Sequence, residues 1–245
     1  MIIVGIVLSP HCLNLIDDSI LTISGDLRQI ALVIILTRAG LSLSFSDLKK
    51  VGRSAILMCF VPACIEMVGT IVFAPLLLGV SILDAAIIGS VMAAVSPAVV
   101  VPRMIKLIEN GYGTDKRIPQ LILAGASVDD VLAKRLSIKY NKLWLGAEIF
   151  LFVLVGIAVD LKYALAAGIA VILLVILALV FRMLGVAVSL VKTKLNKKER
   201  LFCAVAYTPK ATVQAALGTM PLAMGMSCGA IVLTVAVISF LNNRI

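Results

Sequence analysis

Histidine is nearly absent from this chain, which has one, His11. Its five cysteines, Cys12, Cys59, Cys64, Cys203 and Cys228, form no Cys-x-x-Cys pair. Metal centres need several such ligands at close spacing, so neither a resident metal nor a cofactor is expected, and the cysteines read as small apolar fillers. Charge is scarce as well. Acids number 13 against 22 Lys and Arg, and charged residues together make up 14% of the chain. The resulting net charge of +9 would suggest nucleic acid as a partner if a folded soluble module carried it on one face, but the sequence has no such module. No cleavable leader is expected either, because "MIIVGIVLSPHCLNLID" has neither a basic n-region nor a clean cleavage site.

What fills the chain is apolar. Hydrophobic residues account for 62% of the 245 positions, against about 45–50% in ordinary soluble domains, and mean hydropathy is +1.15. Runs long enough to cross the ~30 Å hydrocarbon core recur from end to end. They read as 27–44, 54–78, 82–105, 118–133, 143–160, 163–191, 201–221 and 225–241, joined by short loops. Residues 1–16 reach only about 24 Å as a helix and read as a partial span. The expectation is one all-α, multi-pass membrane domain over residues 1–245, with the lipid bilayer as its surroundings.

Loop charge orients the spans, since Lys and Arg gather on the cytoplasmic side. The loop at 45–53 is basic, 79–81 is uncharged, and 106–117 carries Lys106, Lys116 and Arg117. One more crossing should put 134–142 outside, yet that loop holds Lys134, Arg135, Lys139 and Lys142 and no acid. Loop charges alternate consistently on either side of residue 130, but the two halves disagree. Either 118–133 does not cross, or an odd number of crossings is missing there.

Four ionisable residues lie deep in apolar runs: Asp129 and Asp130 in "GASVDDV", Arg182 in "LVFRMLG" and Lys210 in "YTPKATVQ". A charge at a helix centre costs roughly 2.5–3.5 kcal/mol on insertion scales. Two acids and two bases retained there imply that they face one another or a wet cavity, as on an ion or proton pathway. Adjacent helical residues point about 100° apart, so one aspartate can hold a cation while the other pairs with a base. Glu66, Glu148 and Arg38 are further intramembrane charges, either supporting that site or snorkelling to an interface. A weak repeat adds to the pattern, with Ala-Val-Ser-Pro at 94–97 and Ala-Tyr-Thr-Pro at 206–209. Proline removes a backbone donor and clashes with the preceding turn, so Ser96-Pro97, with Pro102, and Thr208-Pro209 predict two interrupted spans. Such a pair in corresponding halves points to a transporter binding site.

The segments "TRAGLSLSFSDLKK", "AAVSPAVVVPRMI", "IPQLILAGASVDDV", "KLWLGAEIFLFVLVG" and "YTPKATVQAALG" together resemble the bacterial monovalent cation:proton antiporters, within the sodium/hydrogen exchanger superfamily. The resemblance implies an inverted-repeat fold with two broken, crossing helices and a separate dimerisation domain. It implies exchange of Na⁺ or K⁺ for protons, a homodimer when complete, and a bacterial plasma membrane. It assigns Asp130 to alternate cation and proton binding, Asp129 to the position before it, and Arg182 to the base that pairs with the acids. Lys210 is a second pairing base, and Glu66, Glu148 and Ser127 are candidates for a surrounding shell. The chain departs from the family where Val131 runs almost at once into "AKRLS", the point at which loop-charge parity fails. This leads us to expect a truncated, internally deleted derivative with a junction near 131–134. The expectation is therefore a secondary transporter rather than a catalyst of bond chemistry, with a non-transporting remnant as its alternative. An organic-anion symporter fits less well, because paired aspartates repel anions.

Overall fold

The computed structural model describes residues 1–10, 12–41, 53–95, 97–126, 146–147, 149–159, 161–210, 214 and 217–242. Among these residues all regular secondary structure is helical. In chain order the helices are α1 (Ile2–Leu8), α2 (Asp18–Leu41), α3 (Arg53–Leu78), α4 (Ile82–Ala93), α5 (Pro97–Glu109), α6 (Ile118–Ala126), α7 (149–157), α8 (Leu161–Ser189), α9 (Lys197–Ala206), α10 (Met220–Ala223) and α11 (Gly229–Asn242). By length and composition, Arg53–Leu78 and Gly168–Ser189 are long and apolar enough to cross a membrane.

Local chemistry sets the boundaries. Ser81 opens α4 by accepting from the Asp84 amide, and Asn196 opens α9 in a capping box with Glu199. Both supply acceptors to N–H groups that lack helical partners. The 82–105 run is not one helix. α4 stops at Ala93, Ala94 is extended, and α5 restarts with Pro97 at its first position, where proline's missing N–H does no harm. Pro102, expected to share in that break, lies inside α5 instead. The second interruption follows α9, where residues 208–210 carry no regular structure. α8 also bends, because Gly168 takes φ +38, a value a side chain rarely tolerates.

Helix α3 contains Pro62 and Pro75 yet remains helical throughout. Pro62 cannot donate to the Met58 carbonyl, four residues back, and the Tyr207 hydroxyl donates to that carbonyl instead, at 2.9 Å. Foreign donors of this kind let a spanning helix carry proline. α8 lies close alongside, and a Cβ on Gly185 would come within 2.5 Å of Pro62 Cα.

α3 packs most extensively on α8, and it also meets α4 and α6. The interior divides into three apolar clusters. One joins α1, α2, α7 and α11 through residues such as Ile2, Ala31, Leu151 and Leu233. A second gathers Met58, Met104, Ile122, Leu190 and Tyr207, and the third Ala74, Ile88, Leu174 and Val235. The second and third flank the middle of α3 and α8, and between them lies a belt of buried polar groups.

Candidate functional site

That belt centres on Glu66, thirteen residues into α3 and fully buried. Its Oε2 accepts from Arg182 Nε at 2.5 Å, and its Oε1 accepts from Lys210 Nζ. Arg182 and Lys210 are themselves 0% and 2% exposed, so water does not screen the cluster. A carboxylate held between two cations removes part of the large penalty for keeping each ion out of water.

The remaining donors all reach backbone. The last carbonyls of a helix have no partner within it, and breaking the 82–105 run leaves those of α4 inside the protein. Lys210 Nζ donates to the Met92 carbonyl at 2.8 Å, and Arg182 Nη2 donates to that of Ala93 at 2.5 Å. Gln214 Nε2 donates to the Ala94 carbonyl. Arg182 Nη1 donates at 3.3 Å to the Tyr207 carbonyl, where α9 ends, and the guanidinium stands 5.9 Å from the Tyr207 ring centroid. Both interruptions therefore end on one cationic cluster, and positive charge at a helix C-terminus also complements its dipole.

The structure thus brings together Glu66, Arg182 and Lys210 among the sequence-predicted residues, and sets Pro97, Thr208 and Pro209 at the two interruptions that flank them. Glu66, expected in a surrounding shell, is the hub. Ser96, Ser127, Asp129, Asp130 and Glu148 lie outside the described residues, and Arg38 is described only as a position within α2. Gln214 and Tyr207 escaped the sequence reading. A glutamine in an apolar run was the available signal for the first. For the second it was the mid-helix Pro62, which frees a carbonyl that some donor must satisfy.

Comparison with known proteins supplies the family and the fold. The family described as "Sodium/hydrogen exchanger, transmembrane" matches residues 1–134 and 132–242. The chain belongs to that family. This exchanger-family chain is 46% identical over 110 residues to sodium/hydrogen exchanger 9B2 of Bison bison bison, a match covering 45% of the chain and 21% of that protein. It is 42% identical over 112 residues to sodium/hydrogen exchanger 9B1 of Mus musculus, covering 46% and 20%. The matches thus span about a fifth of the curated relatives' length. The solved structure of the sodium proton antiporter MjNhaP1 from Methanocaldococcus jannaschii at pH 8 superposes with a TM-score of 0.72. It is 16% identical, with 99% of this chain and 89% of that one covered. The fold is therefore the antiporter fold, and this exchanger-family chain is a multi-pass membrane protein of a transporter family.

Proposed function

We propose that the chain exchanges a monovalent cation, Na⁺ or K⁺, for protons across the membrane, with Asp129 and Asp130 as its ion-binding residues. The observation that carries this reading is the charge balance of the buried cluster. Arg182, Lys210 and Glu66 sum to +1 when ionised, and no other described carboxylate pairs with them. A buried net charge calls for a compensating one, and a deprotonated Asp130 would supply it. A carboxylate that gives up its proton to hold a cation, and regains the proton when the cation leaves, couples the two fluxes. A homodimer and a bacterial plasma membrane, implied by the sequence resemblance, form part of the same proposal.

The proposal includes an internal junction near 131–134. Two facts support it: loop-charge parity fails there, and the two family matches meet at residues 132–134. The test uses everted vesicles carrying the chain as it stands, a version with an apolar helical stretch restored between Val131 and Lys134, and Asp130→Asn in each. Na⁺- or K⁺-dependent collapse of ΔpH, lost in Asp130→Asn, is expected. Near-normal exchange by the asparagine variant would overturn the assignment of Asp130. Silence of the unrepaired chain beside an active repaired one would establish the non-transporting remnant.

A further inference from the structure

The inner halves of the two interrupted spans, α5 and α9, enclose a cavity of about 410 Å³ that the exchange reading does not use. Its walls are apolar: Val100, Met104 and Leu107 on α5, and Phe202 and Val205 on α9, with Pro209 beyond. Its solvent-facing lining differs. Arg103, Lys106, Asn110 and Tyr112 are all exposed, and among the described residues no acid lines the cavity. Neither Arg103 nor Lys106 has an ion pair with a described carboxylate. Phe202 and Val205 are 42% and 55% exposed, so the apolar wall opens sideways at the level of the spans. An apolar slot that opens sideways beneath a rim of one charge sign has the polarity of an amphiphile with an anionic head.

We propose that this crevice binds an anionic phospholipid, its phosphate on Arg103 and Lys106 and an acyl chain along Met104, Phe202 and Val205. The volume lies within the ~300–1,000 Å³ of small-molecule sites. Basic pockets between spanning helices on the cytoplasmic side take lipid head groups, and each Lys or Arg near the surface strengthens binding by about fivefold. A zwitterionic lipid offers its own cation to the rim and loses that gain. Because α5 follows the first interruption and α9 precedes the second, a lipid wedged between them ties the inner halves of both to the membrane's composition.

The test uses the full chain purified in detergent, with native mass spectrometry of lipid adducts. The probes are phosphatidylglycerol, phosphatidylcholine and, as a chainless control, glycerol phosphate. Retention of phosphatidylglycerol over phosphatidylcholine is expected, falling about fivefold in Arg103→Ala and again in Arg103→Ala/Lys106→Ala. Val205→Trp, which fills the slot at unchanged charge, should abolish the preference. Lys192→Ala/Lys194→Ala, which removes two exposed charges from the loop ahead of α9, should not change it. An equal loss in the Lys192/Lys194 variant would reduce the effect to overall surface charge. Retention in Val205→Trp, or competition by glycerol phosphate as strong as by the lipid, would leave no role for the slot. Either result would overturn the proposal. If those variants fold poorly, Trp144→Phe/Phe202→Trp places a single fluorophore in the slot. Phosphatidylglycerol brominated in its acyl chains should then quench it more than brominated phosphatidylcholine, and equal quenching would refute the site.

Discussion

Replacing Glu66 with glutamine keeps the side chain's size and removes its charge. Arg182 and Lys210 would then share a dry site without their described carboxylate partner, since their remaining described acceptors are the carbonyls of Met92, Ala93 and Tyr207. Removing one partner of a buried ion pair costs about 3–5 kcal/mol, because the other charge stays buried. For a chain of this size that is a fall in melting temperature on the order of 10 °C. The loss should be partly reversible. Glu66→Gln/Lys210→Met returns the described cluster from a formal charge of +2 to +1. The double variant should therefore melt above Glu66→Gln alone, with a coupling of about 0.5–3 kcal/mol. Lys210→Met alone leaves Glu66 paired with Arg182 and should cost less than Glu66→Gln. Detergent-solubilised variants followed by circular dichroism provide the comparison. Melting of Glu66→Gln within a degree or two of the parent, or strict additivity of the two substitutions, would refute the electrostatic account.

Other substitutions probe geometry rather than charge. Arg182→Lys keeps the charge but cannot reach Glu66, Ala93 and Tyr207 together, and should cost about 1.5–3 kcal/mol for each charged hydrogen bond it fails to remake, read from the same melts. Tyr207→Phe leaves the Met58 carbonyl without its donor beside Pro62 and should cost about 1–3 kcal/mol; an unchanged melt would mean that α3 does not need the donor there. Gly185→Ala pushes a methyl group against Pro62 Cα and should destabilise by about 1–3 kcal/mol, visible as reduced yield of monodisperse protein. In the first turn of α9, the hydrogen bond from Lys116 holds the Glu199 carboxyl below its ordinary pKa. Its stabilising effect is therefore present above the ordinary glutamate range and lost as pH falls through the lowered value. Amide protection in the first turn of α9, measured relative to the intrinsic exchange rate at each pH, should fall under acid in the parent, and Lys116→Met should weaken that dependence.

Much of this was legible in sequence because hydrocarbon makes strong demands. The runs at 54–78 and 163–191 correspond to α3 and α8 within two residues at either end, since a span must satisfy its own backbone. The interruptions at 94–97 and 207–210 were marked by prolines preceded by small hydroxyl residues. Proline alone was not a sufficient signal, however. Pro62, Pro75 and Pro102 lie inside helices, and in the case of Pro62 the rescue comes from Tyr207, 145 positions away in sequence. Helices start ahead of the apolar runs where polar residues lead in: α2 begins at Asp18 before the run at 27, and α9 at Lys197 before the run at 201, both in stretches that hydropathy alone excludes. At the site, buried charge could be listed from the sequence but not paired. Arg182 and Lys210 were matched to acids by type, and only the packing of α3 on α8 shows that Glu66 lies between them.

The carbonyl cradle at the end of α4 has a further consequence. Backbone oxygens converging at the middle of a membrane protein are a ready coordination shell for an alkali ion. Here the shell already has tenants, since Met92 and Ala93 accept from tethered cations and Ala94 from the amide of Gln214. These tenants are covalently attached and present at high effective concentration, and a dissolved Na⁺ or K⁺ would have to evict them to use the oxygens. The broken helix end is therefore a coordination shell already occupied by the protein's own side chains.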